Sequence, residues 1–187
     1  MRKVCILGRC SNTRQDAPIH SPDWEMWVLG WDPVPRYHRL FEIHSNWREF
    51  HGEGGEEARL HQLYLSQQDV PVYMLEKEPD IPTSVAYPFD DVARIVGRTA
   101  QGTPYLESSL AYMMGLAILE LEPDDRIGLW GIDLQVNSEY SYQKPNMEYL
   151  IGLARGRGIT VTVPPESSLL THERGAPYGF PGWGATS

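Results

Sequence analysis

The sequence predicts a single α/β domain with three layers and a mainly parallel sheet. Three observations carry this. Short apolar segments alternate with segments of helical period, the connections between them are short, and Gly8, Gly30 and Gly131 each close an apolar run. Short crossovers between parallel strands are right-handed and lay helices against the sheet, which is the Rossmann-like arrangement. The 187 residues, 41% hydrophobic and 22% charged, are enough for one proper core.

Residues 2–7 are a compact apolar run, as a buried strand requires. Residues 25–29 are a second strand, and 39–44 alternate with period two as a third. A helix over 56–67 carries Ala58, Leu60, Leu63 and Tyr64 at helical spacing. Residues 70–75 form a fourth strand, with Pro71 confined to its start. Asp90 and Asp91 supply carboxylates to the first turn of a short helix ending at Val96. The best-defined helix opens at Glu107-Ser108-Ser109, keeps Leu110, Met113, Met114, Ala117, Ile118 and Leu121 in helical register, and stops before Pro123. Residues 127–130 are a strand, 145–155 a helix finished by Gly156 and Gly158, and 159–163 a β-branched strand. The domain therefore runs over 1–172. Gly and Pro dominate 173–187, which reads as a tail.

Charge and composition exclude several classes. Lys and Arg number 16 against 25 Asp and Glu, a net charge of -9, so a broad grip on nucleic-acid phosphates is not expected. No apolar run reaches the length of a membrane span, and the apolar stretch after Arg2-Lys3 is too short for a signal peptide. Cys5 and Cys10 have neither metal spacing nor the number for a disulfide framework, which points to a reducing cytoplasm. The scattered His20, His38, His51 and His61 have no ligand spacing, and no metal site is expected.

In parallel sheets ligands bind beyond the carboxyl ends of the strands, so the residues following each strand are the candidates. After the first strand, Gly8 permits a tight turn. Ser11, Asn12 and Thr13 offer hydroxyl and amide groups, and Arg14 can pair with a phosphate; alternatively this is a polar turn capping a helix. After the second strand, Trp31 can stack on a base and Asp32 can accept from a ribose hydroxyl, or both pack a loop. His44, after the third strand, can transfer a proton or sit half-buried in a hydrogen bond, and Glu42 shares its face. Ser108 and Ser109 stand at a helix start that favours anions, where N-capping explains one of them. Gly131 lets a ligand approach the backbone, and Asp133 brings a carboxylate to the same edge. Tyr140 and Tyr142, with Lys144, read as a loop over that edge whose hydroxyls reach a phosphate or pack the loop.

Tyr105-Leu-Glu-Ser108-Ser109-Leu-Ala-Tyr-Met113, with Ala117-Ile118, Ile127-Gly-Leu-Trp-Gly131-Ile132-Asp133 and then Tyr140 and Tyr142, resembles the bacterial sialyltransferases of glycosyltransferase family 42. It is also similar to 6-hydroxymethylpterin diphosphokinase-like and motility-accessory Rossmann proteins, and to small bacteriophage proteins of that group. The resemblance covers residues 1–10 and 103–163. It implies a pocket for a cytidine nucleotide-sugar, with Ser108 or Ser109 at the nucleotide, Asp133 at the ribose, and Tyr140 and Tyr142 at the phosphate. The first loop departs from the family's Gly-Asn-Gly-Pro-Ser, reading Gly8-Arg9-Cys10-Ser11-Asn12. The family's catalytic histidine follows the tyrosines, and the histidine in that region here is His172.

The expected function is therefore a nucleotide- or nucleotide-sugar-dependent transferase, acting in the cytoplasm (a host cytoplasm for a phage protein). Asp133 or His44 serves as base, and Arg14, Tyr140 and Tyr142 stabilise the leaving group. A pyrophosphoryl-transfer version needs a divalent metal, for which a solitary Asp133 is a poor site. The alternative is a non-catalytic protein that binds a nucleotide-like small molecule, or a host protein through exposed aromatic side chains.

Overall fold

The computed structural model describes residues 1–31, 34–49, 55–134 and 140–171, with Tyr140 described in its backbone only. Seven strands form one sheet: β1 (Lys3–Leu7), β2 (Glu25–Leu29), β3 (Arg39–Glu42), β4 (Val72–Met74), β5 (Ser84–Ala86), β6 (Arg126–Trp130) and β7 (Thr160–Thr162). Their order is β5-β4-β3-β2-β1-β6-β7, and every neighbouring pair is parallel. This is the Rossmann-like α/β domain. Its helices are α1 (Ser11–Arg14), α2 (Glu56–Ser66), α3 (Phe89–Val96), α4 (Ser109–Glu120) and α5 (Tyr140–Gly156).

Strand side chains alternate between two cores, as a pleated sheet dictates. Val4, Ile6, Trp27 and Phe41 face α3, α4 and α5, whereas Cys5, Leu7, Met26 and Leu40 face Leu65 of α2 and Trp47. Burial on both faces explains why β1 is a continuous apolar run rather than an alternating one. Burial also drives the Cys5 thiol pKa up, well out of the range where it would ionise. From β1 to β5 the chain steps outward in one direction; after β5 it returns past β1 to place β6 and β7 on the other side. Right-handed crossovers put helices on opposite faces for the two directions. The reversal falls between β1 and β6, and that is the topological switch point.

The central helix, α4, buries Ala111, Met113, Met114, Leu116, Ala117 and Ile118. Below its far end, Glu120 and Glu25 balance Arg2 and Arg39. Arg39 reaches Glu120 at 2.6 Å and Glu25 at 2.9 Å while lying 4.5 Å over the Trp27 ring. Balanced charges of this kind close the sheet's amino edge, away from the switch point.

Three expectations about elements are corrected. The strand over 39–44 ends at Glu42, so His44 lies beyond it. The short edge strand β5 was not anticipated; its three residues, Ser84–Ala86, are too few to display a period. Helix α5 starts at Tyr140 rather than Pro145, so Tyr142 belongs to a helix and not to a loop. Proline at a first helical position is a common start signal, whereas Pro145 stands inside α5, where it forfeits a backbone bond and crowds the carbonyl one turn earlier. Within the extra turn Gln143 is buried, and Asn146 and Met147 after Pro145 anchor the same helix in the core.

Candidate functional site

At the switch point the two central strands leave the sheet almost in contact. The Gly8 N–H donates to the Trp130 carbonyl at 2.8 Å, and the Cys10 N–H donates to the Gly131 carbonyl at 2.8 Å. The Gly131 N–H in turn donates to Oγ1 of Thr13, a fully buried residue, at 2.8 Å. Gly131 adopts φ +65°, and a Cβ there would stand 2.5 Å from the Gly8 oxygen. Glycine is required at this crossing.

Beyond it opens a crevice of about 630 Å³ whose polar lining includes Arg9, Glu42, His44, Glu107, Ser108 and Asp133. Ser109 and Gly131 also line it, and Leu29, Phe41, Ile43 and Ile132 supply its apolar wall. The switch point therefore gathers Ser108, Ser109, Gly131, Asp133 and His44 from distant parts of the chain. Gly8 stands directly behind Gly131.

Ser108 is the N-cap of α4: its Oγ accepts from the Ala111 N–H at 3.2 Å. Ser109 is the first helical residue and lines the crevice without that duty. The first-turn N–H groups of Ser109 and Leu110 have no intrahelical acceptor, so the helix start favours negative charge. The approach to α4 is held by Asn146, fully buried, which donates to the Tyr105 carbonyl at 2.9 Å and accepts from the Glu107 N–H at 3.0 Å. Ser108→Ala should therefore cost about 1 kcal/mol of stability. Ser109→Ala should leave the thermal midpoint unchanged and weaken any anionic ligand. Equal melting curves for the two variants would contradict the assignment of the cap.

Asp133 Oδ2 accepts from Asn12 Nδ2 at 2.9 Å, which ties β6's exit to α1. Its other oxygen, Oδ1, is buried and finds no hydrogen-bond partner among the described residues. Asn12 is thus a positioning group for Asp133, and Ser11 is exposed in α1 outside the lining. Arg14 does not line the crevice. At the end of a one-turn helix its guanidinium folds back to donate to the Gly8 carbonyl. The cation at the crevice is Arg9, which donates to the carbonyls of Gly30 and Trp31 and so bridges the exits of β1 and β2. Sequence reasoning passed over Arg9 because arginine after a glycine carries no loop signature.

Trp31 packs against α2, its ring 5.4 Å from that of His61 and stacked with that of Tyr64. Tyr142 is 47% exposed and outside the lining, whereas its neighbour Gln143 contributes to it. Asp32, the side chain of Tyr140, and His172 with the 173–187 tail lie outside the described residues.

The strongest local chemistry lies at the end of β3. Glu42, 3% exposed, places Oε1 on His44 Nδ1 and Oε2 3.0 Å from Nε2 of the fully buried His61. Burial pushes the carboxyl's pKa up, but the hydrogen bonds from His44 and His61 outweigh it and hold the group down at about 2. An ionised carboxylate only accepts, so Nδ1 of His44, which hydrogen-bonds it, carries a proton. That assigns Nε2 of His44 as its basic atom in the neutral form. A carboxylate-backed imidazole at a crevice wall is the arrangement that performs general base chemistry. His61 was missed because its spacing from Glu42 matches no ligand motif; only the packing of α2 on the sheet joins them.

Among the described residues no group of three or more His, Cys, Asp or Glu is placed to hold a metal ion, and no helix is long and apolar enough to cross a membrane. In comparisons with protein families, curated proteins and solved structures, nothing matches this chain.

Proposed function

We propose that the chain is a transferase that binds a nucleotide or nucleotide sugar in the switch-point crevice. One observation carries the reading: an anion-favouring helix start and a carboxylate-backed imidazole line the same crevice. In this reading the phosphate lies against the first turn of α4, where Ser109 and Arg9 meet its charge. Asp133 accepts from ribose or sugar hydroxyls through a carboxylate oriented by Asn12. His44 Nε2 takes the proton from the acceptor hydroxyl, and Glu42 stabilises the imidazolium that forms. Arg9 and the helix start take the place of Arg14 and Tyr142 as groups that balance the departing phosphate. The reading keeps the glycosyltransferase family 42 resemblance as a proposal about ancestry, and the free Cys5 and Cys10 suit a reducing cytoplasm.

A thermal-shift screen with nucleoside mono- and diphosphates and their sugar conjugates tests it. A stabilising nucleotide-sugar that is then hydrolysed or transferred, with turnover dependent on His44, is the expected result. Asp133→Asn should preserve the fold and weaken that ligand by about 2 kcal/mol, the loss of a hydrogen bond to a charged acceptor. Binding without turnover would leave a non-catalytic nucleotide-binding protein. No shift with any nucleotide would overturn the reading.

A further inference from the structure

Arg9, Glu42, His44, Glu107 and Asp133 bring charge to the lining of the crevice. Glu42 is engaged by His44, which leaves Glu107 and Asp133 facing Arg9. Asp133 Oδ2 receives the neutral amide of Asn12, and its buried Oδ1 has no hydrogen-bond partner among the described residues. Glu107 is anchored through its backbone, whose N–H donates to Asn146 Oδ1 at 3.0 Å. Among the described residues its carboxylate makes neither an ion pair nor a hydrogen bond. Arg9 already serves the carbonyls of Gly30 and Trp31, and its one charge balances one anion. Tyr112, on the next turn of α4, adds an aromatic wall to the same crevice. Its ring is stacked with Phe89 at 6.4 Å and tilted against Tyr87 at 5.0 Å, and Tyr87 Oη donates to the Tyr112 carbonyl at 2.7 Å.

We infer that Glu107 and Asp133 are specificity-determining residues that select a neutral sugar on the nucleotide and reject a sugar carrying its own carboxylate. The inference rests on the reading of the crevice as a nucleotide-sugar site, in which the phosphate takes the charge of Arg9. An ionised carboxylate only accepts hydrogen bonds, and sugar hydroxyls are the donors that satisfy it. A carboxylate on the sugar brings a like charge instead. The apolar wall of Leu29, Phe41, Ile43 and Ile132 leaves little water to screen that repulsion. The Tyr112 ring suits the apolar C–H face of a pyranose, which a hydroxyl-bearing sugar presents while its edge reaches the carboxylates. A sialyl group carries a carboxylate, and the described lining holds no second guanidinium or ammonium to receive it. The donor expected here therefore differs in charge from that of the sialyltransferases.

The test is a pair of amide NMR titrations in EDTA with methyl glucoside and methyl glucuronide, which differ only in a hydroxymethyl group against a carboxylate. The glucoside should shift the amides of Ser109, Gly131 and Asp133 and bind about tenfold or more tightly than the glucuronide, as expected where like charges meet. In Glu107→Gln, and separately in Asp133→Asn, each of which removes one charge and keeps the shape, the preference should fall to about threefold. The uridine diphosphate conjugates of the same two sugars repeat the comparison with phosphate attached. Equal binding of the two glycosides, a preference for the glucuronide, or no shift with either would overturn the inference. So would a preference that is unchanged in both variants. Sugar selection without binding of any nucleotide removes the transferase reading and leaves the selection standing. Nucleotide binding with no discrimination between the two sugars does the reverse.

Discussion

Gly131→Ala is expected to lower the stability of the folded chain by about 3 kcal/mol. The left-handed backbone at φ +65° costs a residue with a Cβ roughly 1–2 kcal/mol. The Cβ also meets backbone rather than a yielding side chain: Gly8 O at 2.5 Å, Gly8 C at 2.9 Å and Cys10 O at 3.2 Å. Relief requires β1 and β6 to part where the Cys10 N–H bonds the Gly131 carbonyl, and overpacking of this kind adds about 1–3 kcal/mol. Gly8→Ala presses on the same crossing from the other strand, with its Cβ 2.3 Å from the Gly131 oxygen. Gly152 provides the control. It lies exposed within α5 with nothing within 4 Å of a Cβ, so Gly152→Ala should stabilise by about 0.5–1 kcal/mol through helix propensity. Urea unfolding midpoints measure all three. A Gly131→Ala loss below 1 kcal/mol would show that the strand exits can separate without cost.

Glu42→Gln should cost a similar amount, about 3 kcal/mol at neutral pH, and here the pH dependence is the informative part. The carboxyl sits at about 2 in the folded chain against an ordinary value of 4.5. Each pH unit of difference is worth about 1.4 kcal/mol, so the ionised group contributes about 3 kcal/mol. A depressed carboxyl stabilises fully above its unfolded value and loses that contribution as pH falls toward its folded value. The wild-type advantage over Glu42→Gln should therefore be intact at pH 6–7, begin to shrink near 4.5 and be mostly gone near 2. Glutamine offers one acceptor and one amide donor group where the carboxylate offered two acceptors, so one imidazole must exchange tautomer or lose its bond. Parallel unfolding curves from pH 7 to pH 3 test this. A difference that stays constant across that range would remove Glu42's charge from the account.

Local sequence by itself determined the layered architecture. β1, β2 and β6 are apolar runs ended by Gly8, Gly30 and Gly131, and α4 carries an apolar register long enough to be unambiguous. Such elements are legible because period and punctuation lie within a dozen neighbouring residues. The placement of Ser108, Ser109, Gly131 and Asp133 at one edge follows from the same reading, since a parallel sheet brings all strand exits to one side. Only the tertiary structure decided which of those residues meet. Glu42 joins His61 because α2 folds back over β3, and Asn146 grips the approach to α4 because α5 packs beside it. Arg14 turned to a backbone carbonyl while Arg9 took the crevice, a choice made by the length of a single turn of helix. The extra turn of α5 ahead of Pro145, where Gln143 is buried, also forms against a local signal to start later. Partners of this kind are separated along the chain by tens of residues, and their pairing depends on distances that no local period encodes.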